Sequence, residues 1–156
     1  MNKIRIALST VLLISASVSA AVTEQEWGNW YGNTGGMEFA LNTQNRAGQA
    51  LTVSCSNKQM LVTLSSQKEN WSARSDEALD DLYLRINNKT YELSNDTMFP
   101  NEPVPAQLVF EALAHAKASD TIVFTSRQTG DSKPFSARGL NEALKGITWQ
   151  DCMNQS

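Results

Sequence analysis

The sequence predicts an α+β domain, mainly antiparallel β-sheet or a small sandwich, with two helices in the C-terminal half. Three observations carry this. Apolar residues alternate with period two in several short runs, Asn-, Gly- and Ser-containing turns separate those runs, and helical spacing emerges only after residue 104. A tally gives about six to eight strands.

The chain opens "MNKIRIALSTVLLISASVSA", with Lys3 and Arg5 ahead of an apolar run and small residues at Val18-Ser19-Ala20. That is the three-part pattern of a secretory signal, and its apolar run is far shorter than the ~20 residues of a bilayer span. Residues 1–20 are expected to be cleaved, after Ala20 or alternatively Ala21, leaving residues 21–156 as a single globular periplasmic or secreted domain. No later stretch is long and apolar enough to cross a membrane, so no span is expected after cleavage. Losing Lys3 and Arg5 leaves 11 basic against 16 acidic side chains, a net charge of about −5. This balance lacks the basic footprint of a nucleic-acid binder.

Next comes an aromatic group, Trp27, Trp30 and Tyr31, a glycine-punctuated turn, and a strand expected over residues 37–41. In "QALTVSCSNKQMLVTLSS", Leu51, Val53 and Cys55 share one strand face, and Met60, Val62 and Leu64 share another, around Ser56-Asn57-Lys58. A short connection between alternating runs reads as a hairpin. Residues 66–81 are polar, a loop or poor edge strand anchored by Trp71. A second hairpin follows, with Leu82, Leu84 and Ile86 before Asn87-Asn88 and Tyr91 and Leu93 after it; Asn tolerates the positive φ of such turns.

The proline-broken stretch "SNDTMFPNEPVP" precedes a helix expected from about Pro105 to Lys117, with an apolar stripe of Leu108, Val109, Ala112, Leu113 and Ala116. "DTIVFTSRQTG" supplies a strand with Ile122 and Phe124 on one face, and "KPFSAR" a further short one. The last element is an amphipathic helix with Leu140, Ala143, Leu144 and Ile147 at i, i+3, i+4 and i+7.

Two cysteines, Cys55 and Cys152, remain in a chain addressed to an oxidising compartment, and a disulfide between them is expected. The loop closed would be nearly a hundred residues, and their separation shows no metal-site spacing; no metal or cofactor is expected.

A search for catalytic chemistry finds little. His115 is the sole histidine and has no recognisable nucleophile partner. Gly-x-Ser-x-Gly, phosphate-loop and dinucleotide signatures are missing. The acidic run Asp76–Asp81 and Asp96 read as solvated loop rather than a calcium site, because their spacing does not match an EF-hand. Paired carboxylates for glycoside hydrolysis are open on sequence alone, since the fold sets their separation. Sequons stand at Asn70, Asn88 and Asn95, of consequence only in a eukaryotic secreted protein. Trp27, Trp30, Tyr31, Trp71 and Trp149 form the partner-binding set. Exposed, they would stack on sugars or anchor a protein partner; buried, they would plug one end of the sandwich.

Three segments, "LTVSCSNKQMLVTL", "PAQLVFEALAHAKASDTIVF" and "PFSARGLNEALKGITWQDC", follow an early tryptophan. In this layout the chain resembles small exported bacterial proteins of the invasion-associated locus B type and of the type VI secretion-associated VasI/TagO type. The resemblance implies a β-rich domain in the periplasm of a Gram-negative bacterium, or secreted from it, with an accessory role in secretion or virulence. It transfers no active-site residues. The expected function is therefore non-enzymatic binding of another envelope or secreted protein. The alternative is an inhibitor or immunity protein acting against a toxin or cell-wall hydrolase, with the acidic loop plugging a cationic cleft.

Overall fold

A computed structural model describes residues 24–35, 38–77 and 82–154. The expected signal peptide, Met37 and part of the acidic run, residues 78–81, lie outside them. The architecture is the expected α+β one, in two antiparallel sheets.

The first sheet is a six-stranded meander in chain order: β1 (Gln25–Trp27), β2 (Trp30–Asn33), β3 (Phe39–Gln44), β4 (Gln49–Ser56), β5 (Gln59–Ser66) and β6 (Trp71–Arg74). The expected β4–β5 hairpin forms, with Cys55 opposite Met60 and Ser56 opposite Gln59. Its two turn residues, Asn57 and Lys58, both take positive φ, 53° and 61°, the geometry that matches the twist of a two-residue hairpin. Leu51, Val53, Cys55, Met60, Val62 and Leu64 are all buried, so the period-two reading placed the inner face correctly. The polar stretch around Trp71 is indeed an edge strand, β6, paired with β5 from Thr63–Arg74 to Ser66–Trp71.

The second sheet has β7 (Leu82–Ile86) and β8 (Lys89–Glu92) as a hairpin about Asn87-Asn88. Helix α1 (Pro105–Ala114) then crosses over to β9 (Thr121–Ser126), which pairs antiparallel with β7. The other side of β9 carries β10 (Gly130–Asp131) and β11 (Phe135–Ser136). Ser132 bridges the gap, donating its N–H to the Phe124 carbonyl and its hydroxyl Oγ accepting from the Phe124 N–H. Pro134 lies in that gap, where a missing N–H does least harm to a ladder. Short helices α2 (Leu140–Ala143) and α3 (Trp149–Met153) end the chain. Among the described residues eleven strands thus replace the expected six to eight, because β1, β2 and β10 are too short to show alternation.

The inner faces of both sheets and all three helices share one buried cluster. Helix α1 differs in rotation from the sequence expectation. It buries Ala106, Val109, Phe110 and Leu113, while Leu108, assigned to the apolar stripe, is 44% exposed. Phe110 is the reason. Its ring lies 6.0 Å from Phe39 of β3 and 6.1 Å from Trp149 of α3, and turning it inward carries Leu108, about 200° away around the helix, to the outside.

The C-terminal helix is also split. Leu140, Ala143 and Leu144 are buried and Ile147 is half-buried against the core, but Gly146 breaks the helix at φ 83° and α3 starts afresh. Thr148 caps α3: its Oγ1 accepts from the Asp151 N–H, and the Asp151 carboxylate accepts from the Thr148 N–H. This reciprocal arrangement satisfies donors that a helix start leaves open. From α3, Cys152 forms the expected disulfide with Cys55 of β4, Cα–Cα 5.6 Å, and both residues are buried.

One polar side chain ties the sheets together at the tip of β5. Asn95, in the loop after β8, donates from Nδ2 to the Met60 carbonyl and accepts the Met60 N–H at Oδ1, both at 2.9 Å. Its amide thus imitates a strand where β6 has already ended. Asn95→Ala would leave a part-buried N–H and C=O without partners. A loss of about 1–3 kcal/mol in urea denaturation is expected, and a change below about 0.5 kcal/mol would contradict the role.

Candidate functional site: a cationic cleft at the seam of the sheets

Where the β11 side of the second sheet meets the first, three chain segments converge. They are the β1–β2 turn at Gly28-Asn29, the β3–β4 turn from Asn45 to Gly48, and residues 133–138. Hydrogen bonds between segments distant in sequence fix their backbones. The Asn29 N–H donates to the Arg138 carbonyl at 2.9 Å, and Trp30 Nε1–H donates to the Ser136 carbonyl at 2.9 Å. Asn45 Nδ2 donates to the Lys133 carbonyl at 3.0 Å, while Gln49 Oε1 accepts the Lys133 N–H at 2.9 Å. Thr43 Oγ1, itself buried, donates to the Asn29 carbonyl at 2.8 Å.

Glycine makes the closest of these approaches possible. A Cβ on Gly139 would stand 1.8 Å from the Trp27 carbonyl oxygen, and one on Gly28 would stand 2.7 Å from that of Arg138. Both glycines also have positive φ, 93° and 59°, which L side chains avoid.

The segments enclose an open cleft of about 730 Å³. Arg46, Lys133 and Arg138 line it, and no described carboxylate does. None of the three forms an ion pair with a described acid; the pairs are Arg74–Asp76 at 2.7 Å and Arg85–Asp131 at 2.8 Å, both elsewhere. Asn29 and Gln44 add amide groups to the wall. In a chain of net negative charge this is a local reversal of sign. A hollow of about 410 Å³ on the other side of Arg138 holds His115, Lys117 and Glu142. His115 lies against the Glu111 carbonyl at 2.7 Å through Nδ1, and because a carbonyl only accepts, that nitrogen carries the proton.

The aromatic set does not form one exposed patch. Trp30 and Trp149 are buried, at 1% and 8% exposure. Trp27 and Trp71 are half-buried against the core, and Tyr31 is half-buried in β2. Trp71 Nε1–H donates to Glu69 at 2.7 Å. Within the acidic run, Asp76 is paired with Arg74. Among the described residues no group of three or more His, Cys, Asp or Glu is placed to hold a metal ion. No helix there is long and apolar enough to cross a membrane.

Three carboxyl groups are held below the ordinary aspartate range. The Arg85 guanidinium, then the Thr125 hydroxyl, does this for Asp131. The Asn87 side chain and the Lys117 N–H do it for Asp120, and the Thr148 hydroxyl and N–H for Asp151. Asp120 holds a turn, Asp151 caps α3 and Asp131 links β10 to β9 and β7; all three lie apart from the cleft lining.

Sequence reasoning missed the cleft because Arg46 stands far along the chain from Lys133 and Arg138, which flank the short strand β11. It also missed an exposed apolar feature: Met98 is 90% and Phe99 58% exposed, on a loop whose ends are joined where Ala106 N–H donates to the Ser94 carbonyl. Leu108 sits within one turn of that base. A scan against protein-family models and searches of the curated proteins and of the solved structures found no match to this chain.

Proposed function

We propose that this is an exported protein of the Gram-negative periplasm, or secreted from it, that binds another envelope or secreted protein as an accessory in secretion or virulence. The observation that carries the reading is the loop bearing Met98 and Phe99, with Leu108 beside its base. These are the large apolar side chains left in solvent among the described residues. Exposed apolar side chains on a closed surface loop have no packing role to explain them, and aromatic residues in such places anchor protein partners. The secretory pattern at residues 1–20 and the Cys55–Cys152 bridge support the compartment.

The test is capture from periplasmic extract with the oxidised protein, wild type against the double variant Met98→Ala/Phe99→Ala. The variant should melt at the wild-type temperature, because neither side chain is in the core. One stoichiometric partner is expected, with apparent affinity falling at least tenfold in the variant, which is about 1.4 kcal/mol. A partner bound equally by both proteins would remove the loop from the reading. If the partner is a toxin or wall hydrolase that loses activity on binding, the role is inhibition instead.

A further inference from the structure

We propose that the cleft lined by Arg46, Lys133 and Arg138 is a binding site for a phosphate-bearing ligand, a phosphate ester carrying a small polar group such as a sugar. Charge is the first argument. Three cations converge from two segments distant in sequence, with no described carboxylate among the lining residues, although acids outnumber bases in the chain. Holding like charges together without a counter-charge is unfavourable, and an anion relieves it.

Rigidity is the second argument. The backbones of Lys133 and Arg138 are each pinned across the seam, by Gln49 and Asn45 and by Asn29 respectively. The cations therefore project from fixed walls, and less ordering has to accompany binding. The chemistry of the donors is the third. Two guanidinium groups offer planar forks that match phosphate oxygens, and a lysine adds a point charge. A phosphate ester near two negative charges matches three cations better than a single carboxylate does. Volume is the fourth: about 730 Å³ lies in the range of small-molecule sites and far exceeds one phosphate ion. The side-chain amides of Asn29 and Gln44, which bond to no described residue, suit the hydroxyl groups of the remainder.

The phosphoryl group has two sources, an ester or the free anion, and calorimetry on the oxidised protein at low ionic strength separates them. The probes are glucose 6-phosphate, glucose and inorganic phosphate. Glucose 6-phosphate is expected to bind, glucose not, and the affinity to weaken as salt rises. Arg46→Gln/Arg138→Gln and, separately, Lys133→Gln should each weaken binding tenfold or more at an unchanged melting temperature. Lys58→Gln, in the β4–β5 turn at the opposite end of β4 from Arg46, should not. Inorganic phosphate binding as tightly as the ester supports a phosphoryl site and overturns the sugar-ester part. Absence of binding by either phosphate, or wild-type affinity in both cleft variants, overturns the site.

Discussion

Gly139→Ala is expected to destabilise the domain by about 2–5 kcal/mol, combining strain at a left-handed backbone position with steric overlap. The overlap is the larger part. A Cβ there would lie 1.8 Å from the Trp27 carbonyl oxygen, 2.3 Å from its carbon and 2.9 Å from the Gly28 nitrogen. These are backbone atoms, so no rotamer change relieves the contact; the β1–β2 turn must move off residues 138–139. That movement would break the Asn29–Arg138 hydrogen bond and widen the cleft. Gly146→Ala supplies the comparison, since Gly146 also has positive φ, 83°, but a Cβ there meets nothing within 4 Å. It should lose only the conformational part, about 1 kcal/mol. Urea denaturation of both variants reads the difference, and equal losses would show that close approach at Gly139 carries no weight.

What the sequence made legible divides along a physical line. Local patterns were readable: the alternation that put Leu51, Val53, Cys55, Met60, Val62 and Leu64 on the inner face, the Asn turns, and the proline opening α1 all depend on residues within a few positions of each other. Two local signals were available but unread. Thr148-x-x-Asp151 marks the start of α3, and Phe110 is a better anchor for α1 than Leu108. The cleft belongs to a different class. Arg46, Lys133 and Arg138 meet only because the two sheets form a seam, and no spacing rule connects a turn at 46 with loops at 133 and 138. Seen singly, each reads as an ordinary solvated surface charge.

The same distinction explains why the aromatic set divided as it did. Composition marked Trp27, Trp30, Tyr31, Trp71 and Trp149 alike, but burial follows from the strand face or helix side each occupies. Trp30 falls on the inner side of β2, and its indole N–H reaches the Ser136 carbonyl, so it stitches the first sheet to β11. Trp149 occupies the first turn of α3 and packs on Phe110. Both are part of how the sheets and helices close, and the most solvent-facing large apolar groups, Met98 and Phe99, come instead from a proline-containing loop with no periodicity to read.

Removing the bridge with Cys55→Ala/Cys152→Ala is expected to cost about 2–5 kcal/mol. The two cysteines are 97 positions apart, and the chain-entropy model gives roughly 4.7 kcal/mol for a loop of that order, with measured values usually lower. A second contribution is local. Helix α3 has five residues, far too few to be stable alone. Beyond its own Thr148–Asp151 cap, its remaining attachments include the Trp149 ring on Phe110 and Met153 against the core. Cys55, by contrast, stays fixed without the bridge, facing Phe39 on one neighbouring strand and Met60 on the other. Losing the bridge should therefore free the C-terminal end first, and amides of α3 should exchange with solvent well ahead of those of β4 and β5. Urea denaturation gives the total, and hydrogen exchange followed by peptide mapping gives its distribution. A loss under about 1 kcal/mol with α3 still protected would mean that packing of Trp149 and Leu144, rather than the covalent tie, closes this end of the fold.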